Sequence, residues 1–255
     1  MKKLQRKFKL NRTSIVIPVY NEELRLDHCF SVIKKFIRRK KKLFLEIIFV
    51  DDGSNDMSKK KIINFINKNK KNFLNTKIKL ISYKKNIGKG HAVKRGILIS
   101  RYEWIITCDL DMSVTPDQFL IWEKKKFINN NKYAYFGSRE NKNSVVQTLL
   151  IRRIIGFILH LFIWTLFNIK ITDTQCGFKV FHSNYIKKIF KKIKMKGYVY
   201  DVEVVLALKK EDINIVELPL TWIHKEGSKV NLIRDSVRFF FDLIILKIRY
   251  LNYQK

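Results

Sequence analysis

Through roughly the first 140 residues, short β-branched runs alternate with longer stretches whose apolar positions recur at helical spacing. The runs "SIVIPVY" at 14–20, "LEIIFV" at 45–50, "KIKLIS" at 77–82, "EWIITCD" at 103–109 and "YAYFGSR" at 133–139 predict five strands. Residues 22–40, 58–70 and 91–100 have the length and spacing of helices, and Thr115 before Pro116 reads as a cap followed by proline at the first helical position. Such alternation predicts an α/β fold, a mainly parallel sheet flanked on both faces by helices. Ligands in these sheets bind beyond the carboxyl ends of the strands. Residues 20–22, 51–52, 109–111 and 137–139 all follow strand ends, so the chemistry is expected there.

The pattern changes near residue 145. Residues 154–169, "IIGFILHLFIWTLFNI", form a 16-residue apolar run bracketed by Arg152, Arg153 and Lys170. A membrane span needs about 20 apolar residues, so this run predicts either a core helix or one lying at a membrane interface. Residues 232–251 repeat the theme, with Arg234, Arg238, Lys247 and Arg249 among aromatic and aliphatic side chains whose polar heads can snorkel to headgroups. The expected division is a first half at 1–144, a second half at 145–230 that contains an interfacial segment at 152–170, and an amphipathic membrane-associated helix at 231–255.

Composition narrows the partners. The formal charge is +31, densest at Lys34, Lys35, Arg38, Arg39, Lys40, Lys41 and Lys42. That balance suits nucleic acid, an anionic membrane surface, or a solvated face produced by compositional bias. No RNA-binding aromatic box or zinc-finger spacing accompanies the charge. Cys29, Cys108 and Cys176 are odd in number and widely spaced, which points to a reducing compartment without structural zinc. The basic N-terminus lacks the apolar core of a secretory signal.

Asp109 and Asp111, in "CDLDMSVTP", share one side if the strand continues, and two carboxylates at a strand end suit a hard divalent cation. A solvated turn would carry the same residues. Asp51 and Asp52, in "VDDGSND", suit a ribose or base edge, or an ordinary glycine turn. In "NIGKGHAVKRG", Gly88 and Gly90 precede a helix whose free N–H groups, with Lys89, suit a phosphate. The stretch is neither a dinucleotide fingerprint nor a Walker loop.

Taken in order, "IPVYNEE", "VDDGSND", "NIGKGHAVKRG", "CDLDMSVTP" and "FGSR" resemble the family 2 glycosyltransferases of GT-A fold, over about residues 14–139. "DTQCGFKVF" at 173–181, "YDVEVVLALKK" at 200–210, "HKEGSKV" at 224–230 and the closing apolar segment are similar to the branch that glycosylates polyprenyl phosphates, the dolichyl-phosphate β-glucosyltransferases and their bacterial relatives. The resemblance implies inverting transfer of glucose from UDP-glucose to dolichyl or undecaprenyl phosphate, with Mg²⁺ or Mn²⁺, on the cytoplasmic side of a membrane. Carried over, Pro18, Tyr20, Glu22 and Asp52 line the base pocket. Asp109 faces ribose and metal, Asp111 ligates the metal, and Arg139 meets sugar and acceptor phosphate. Asp173, Gln175 and Lys179 form the acceptor-side loop, beside a helix bearing Asp201 and Glu203, and Ser228 and Lys229 belong to a closing loop. Asp173 has three readings: orienting the sugar, completing the metal shell, or capping the turn before Gly177. Ser113 stands where some relatives carry a further metal ligand, and the N-terminal anchor common in the eukaryotic branch is not seen in this sequence. Other donors, GDP-mannose or UDP-N-acetylglucosamine, fit the same motifs. A nucleic-acid-binding reading is disfavoured by the carboxylates at the strand ends, and oligomeric state is not read from the sequence.

Overall fold

The computed structural model of the protein describes residues 12–39, 43–70, 73, 75–148, 150–225 and 232–252. Ser228, Lys229, the N-terminal basic run and Lys40 to Lys42 lie outside them, and so do the side chains of Arg152 and Arg234.

Two apolar faces on each strand dictate the layering. In β1 (Arg12–Val19), Ile15, Ile17 and Val19 point to one core and Val16 to the other; in β2 (Phe44–Asp51), Leu45, Ile47 and Phe49 oppose Ile48 and Val50 in the same way. A strand buried on both faces needs helices on both. α1 (Leu26–Arg39), α2 (Ser58–Asn69) and, further along, α4 (Asp117–Lys124) cover the first face. α3 (Lys89–Ile99) covers the second, together with the later helices. β3 (Thr76–Ser82), β4 (Trp104–Thr107) and β5 (Ala134–Ser138) continue the sheet.

Beyond residue 144 come β6 (Val145–Gln147), α5 (Leu150–Phe167), β7 (Lys179–His182), α6 (Ser183–Lys192), α7 (Tyr200–Lys210), β8 (Ile215–Pro219), β9 (Thr221–Ile223) and α8 (Leu232–Asn252). The large sheet has the order β3-β2-β1-β4-β7-β5-β8, and β6 pairs with β9 separately. β7 runs antiparallel to both β4 and β5, whereas the other pairs are parallel. The sequence halves divided at 144 therefore share one sheet. The register sets Thr107, the last residue of β4, against Lys179, the first of β7. The segment before β7 is thereby delivered to the edge where the parallel strands end.

Several local expectations shift. β4 stops at Thr107, short of the expected 109, because the chain turns at Asp109–Met112. α1 begins at Leu26 instead of 22, since residues 22–25 form a turn closed by Arg25 N–H on Glu22 O at 3.0 Å. Pro116 occupies the cap position of α4 with no side-chain cap, so Thr115 does not perform that role.

The apolar run at 154–169 falls within and just after α5, and it is not simply a core helix. Ile163 and Phe167 are buried, while Ile154, Phe157, Ile158, Leu161 and Trp164 are exposed. α8 repeats this: Phe239, Leu243 and Leu246 are buried, and Val237, Phe241, Ile244, Ile248 and Leu251 form an exposed stripe. The helices pack together through Phe162 on Phe240 and through Lys247, whose Nζ donates to Leu166 O at 2.5 Å. Among the described residues, no helix is long and apolar enough to cross a membrane.

Gly96 is where α3 meets the sheet. An added Cβ would lie 2.2 Å from Val16 Cγ1 and 3.2 Å from Val50 Cγ2. Replacing glycine by alanine gains about 1 kcal/mol of helix propensity, but overpacking costs about 1–3 kcal/mol. Gly96→Ala is expected to lower the urea midpoint of unfolding; a raised midpoint would mean that α3 can lift off the sheet freely.

Candidate functional site

The DLD stretch leaves β4 in a turn closed by Met112 N–H on Asp109 O at 3.2 Å, with Met112 at φ 56°. Leu110 and Met112 enter the core, and Asp109 and Asp111 stay partly exposed. The alternation expected of a strand thus survives in the turn. The Asp109 carboxylate rests on Gly177, where a Cβ would lie 2.1 Å from Oδ2. Lys89 Nζ is 2.7 Å from Asp109 Oδ1. Asp111 Oδ1 accepts Ser113 N–H at 2.9 Å, and Arg25 Nη1 is 3.9 Å from its Oδ2.

Arg139, just past β5, forks onto Asp173: Nε to Oδ2 at 2.7 Å, Nη2 to Oδ1 at 2.8 Å, and the Arg139 backbone N–H to Oδ2 at 2.9 Å. Glu217 on β8 fixes the loop from behind, accepting Thr172 N–H and, at 3.0 Å, Asp173 N–H. Trp222 on β9 lies against Arg139, its ring centre 6.0 Å from the guanidinium carbon. Asp173 orients Arg139, a role outside the three readings made from the sequence. Capping of the turn before Gly177 is not seen.

Lys179 departs from expectation. It is 1% exposed, donates to Asp201 Oδ1 at 2.6 Å and to Cys176 O, and lies over the Phe136 ring. It sits beneath the site and does not present its ammonium to an acceptor. Burial pushes the Asp201 carboxyl upward, against the pull of Lys179 and Lys89. Burial would also raise Asp109 and Asp173, but nearby cations win: Lys89, Lys179 and Arg139 hold Asp109 below the usual carboxylate range, and Arg139 and Lys179 do the same for Asp173.

The nucleotide-side residues are mostly committed to the protein. Asp51 accepts Ser54 N–H and Ser82 Oγ–H. Asp52 accepts from Asn86 Nδ2, Ile87 N and Gly88 N at 2.9, 3.1 and 2.7 Å. Both carboxylates shape loops, so neither presents a free edge to a base in this conformation. The Gly88 N–H expected to meet a phosphate is likewise taken by Asp52. Glu22 pairs with Arg25, whereas Tyr20 is exposed at the end of β1. Pro18 is tolerated in a central strand because the β4 pairing of β1 ends at Val16. Gln175 Nε2 donates to Thr174 Oγ1, and Glu203 in the first turn of α7 accepts Lys194 and Met195 N–H. The three thiols are free and buried, Cys176 pushed up to about 12 by desolvation, which makes them poor nucleophiles. A cavity of about 510 Å³ bounded by Asn168, Lys170, Lys209 and Ile215 lies at the opposite end of β8 from these groups and holds none of them.

Arg25 and the pairing of Lys89 with Asp109 had no sequence signal, since both are contacts across distant segments. Gly177 carried one: a glycine inside "QCGFK" marks a close approach.

A family model described as Glycosyl transferase family 2 matches residues 14–190. A dolichyl-phosphate beta-glucosyltransferase of Dictyostelium discoideum is 33% identical over 247 residues, covering 93% of this chain and 74% of that protein. The Homo sapiens protein of the same description is 32% identical over 252 residues, covering 94% and 76%. In fold the chain is similar to mannosyl-3-phosphoglycerate synthase from Rubrobacter xylanophilus, with TM-score 0.67 at 16% identity, covering 98% of this chain and 77% of that one. That likeness and the mainly parallel sheet agree with the expected GT-A fold.

Two outcomes follow from the site's geometry. Gly177→Ala should push the Asp109 carboxylate aside and lower turnover by about tenfold or more, since displacements near 1 Å are that costly, while unfolding stays cooperative; unchanged turnover would show that Asp109 does not need its seat. Asp173 has a depressed folded pKa, so its contribution to stability is full above the unfolded value near ~3.9 and is lost as pH falls through the lower folded value. Urea midpoints between neutral pH and pH ~3 should therefore fall less steeply for Asp173→Asn than for the parent; parallel acid limbs would remove Asp173 from the account.

Proposed function

The chain belongs to glycosyl transferase family 2, and within it we propose transfer of glucose from UDP-glucose to dolichyl phosphate, or a related polyprenyl phosphate, at a membrane surface. The observation that carries this reading is the meeting, at one sheet edge, of the Asp109–Asp111 pair with an arginine held in a fork by Asp173.

A phosphate monoester acceptor has a second pKa near ~6 and arrives largely as the dianion. It needs no side chain to remove a proton, unlike a sugar hydroxyl. The protein's task is to hold an anionic nucleophile against an anionic donor. Arg139 suits the first of these: Nε and Nη2 are fixed on Asp173, which leaves the Nη1 side of the guanidinium for a phosphate oxygen. Trp222 limits the swing of that side chain. One in-line displacement by the acceptor phosphate inverts the anomeric carbon and yields the β-linked lipid.

Asp109 and Asp111 fit a divalent cation, Mg²⁺ or Mn²⁺. Among the described residues no group of three or more His, Cys, Asp or Glu side chains is placed to hold a metal ion, and two carboxylates with phosphate oxygens are the usual Mg²⁺ set. The buried Ser113 hydroxyl, two residues on, has no hydrogen-bond partner among the described residues. When bound, such an ion supplies charge neutralisation to the leaving diphosphate. Asp109 and Asp111 would hold it.

The exposed apolar stripes of α5 and α8 support the membrane reading. A polyprenyl chain stays in the bilayer, so the enzyme must meet it there, and apolar faces flanked by Arg153, Arg238 and Arg249 suit an anionic interface. We infer that the catalytic edge faces the cytoplasm, where nucleotide sugars are available.

The test is transfer of radiolabelled sugar to dolichyl phosphate in detergent, comparing UDP-glucose with GDP-mannose, with and without EDTA. EDTA-sensitive glucolipid from UDP-glucose is expected. Product from GDP-mannose instead would reassign the donor, and no lipid product from either would reject the acceptor. Arg139→Lys, which keeps the charge and loses the fork, should raise the KM for lipid phosphate about tenfold, the loss of a charged hydrogen bond, with a smaller effect on UDP-glucose. Equal effects on both would rule out the clamp.

A further inference from the structure

Lys89 stands where local helix chemistry disfavours it. It is the first residue of α3, at the positive end of the helix dipole, and the first turn contains no acidic residue to offset it. Side chains that break a local rule of this kind gather at functional sites. The compensation comes from across the fold, from Asp109 Oδ1 at 2.7 Å, with the Tyr198 ring 5.9 Å from the same ammonium. The second carboxylate has a weaker guard, since Arg25 stands 3.9 Å from Asp111 and is already forked onto Glu22.

We propose that Lys89 is a tethered counter-ion of the metal position, its ammonium lying against the Asp109 oxygen that a divalent ion would take and leaving when the ion enters. The inference rests on the reading that Asp109 and Asp111 hold the ion. With Lys89 in place, the two carboxylates and one ammonium present a net charge of −1, too little to strip a strongly hydrated divalent ion of its water. A nucleotide diphosphate changes this balance. It brings oxygens to the ion and gives the displaced ammonium a new anionic partner. Ion and diphosphate then enter together, and the empty enzyme does not collect metal. Lys89 is a positioning residue in this scheme, and with the Gly177 seat it fixes where the Asp109 carboxylate lies.

The experiment is titration of Mn²⁺ alone, without nucleotide, into the full chain in detergent at neutral pH. Free Mn²⁺ is followed by electron paramagnetic resonance and folding by circular dichroism. Lys89→Met removes the ammonium, and Lys89→Gln removes the charge but keeps a hydrogen-bond donor for Asp109, in case the first variant does not fold. Either should bind Mn²⁺ about tenfold more tightly than the parent, because a full carboxylate charge at contact range is uncovered; Lys89→Arg should resemble the parent. A site that only needed Lys89 for its structure would bind more weakly on losing it. Equal or weaker Mn²⁺ binding by folded Lys89→Gln overturns the counter-ion. Adding Asp111→Asn to Lys89→Gln should abolish the gain. A gain that survives would put the ion away from Asp111, and so overturn the metal reading together with the proposal built on it.

Discussion

The edge where the parallel strands end is organised by charge compensation. Three carboxylates and three cations alternate there: Asp109 with Lys89, Asp201 with Lys179, Asp173 with Arg139. Lys179 and Asp201 are fully buried, and removing one member of such a pair costs about 3–5 kcal/mol; Asp109 and Lys89 are partly exposed, so solvent screens their pairing. The pairs also act on one another. Asp109 feels Lys179 and Arg139 as well as its own partner, and Asp201 feels Lys89. In a chain with an excess of 31 positive charges, acidic residues are scarce, and here they are gathered where phosphates would otherwise be drawn indiscriminately. The arrangement leaves Asp109, Asp111 and one side of the Arg139 guanidinium accessible, with Lys179 and Asp201 locked beneath.

That lattice depends on topology. Were β7 parallel, its carboxyl end and not its amino end would reach the edge where the parallel strands end, and the loop with Asp173, Cys176 and Gly177 would lie at the opposite side of the sheet. The antiparallel insertion between β4 and β5 sets Thr107 against Lys179, and Thr107 Oγ1 donates to Gly177 O at 2.8 Å across that junction. Gly177 then has to be glycine because the Asp109 carboxylate occupies the space of its side chain. Glu217 on the neighbouring β8 anchors the same loop. One reversed strand thus joins the Asp109–Asp111 turn to the Arg139–Asp173 fork.

Much of this was legible in the sequence, and the divisions are physical. Strand–helix alternation at 14–139 announced the parallel sheet, because both faces of Ile15–Val19 and Leu45–Val50 had to be covered. The carboxylates at 109 and 111 and Arg139 were found from their places after apolar runs. The reversed β7 was not, since a four-residue strand carries no mark of direction. Lys179 illustrates a second limit: a lysine in a strand looks solvent-directed until its partner Asp201, 22 residues away, is known. Asp52 was read as a partner for a ribose or base edge and the Gly88 helix start as a partner for phosphate, yet Gly88 N–H donates to the Asp52 carboxylate at 2.7 Å. Local motifs name the groups available for hydrogen bonding and do not say which are consumed within the fold. The segment bearing Ser228 and Lys229 lies outside the described residues and adds nothing to that comparison.

If the acceptor phosphate attacks directly, with Arg139 holding it and no protein nucleophile intervening, configuration at the anomeric carbon must invert. The most direct measurement is proton NMR of the glucolipid formed from UDP-glucose and dolichyl phosphate, read at the anomeric position. A β-linked glucosyl phosphate is the predicted product. An α-linked product, or free glucose in place of lipid, would contradict single displacement by a clamped phosphate.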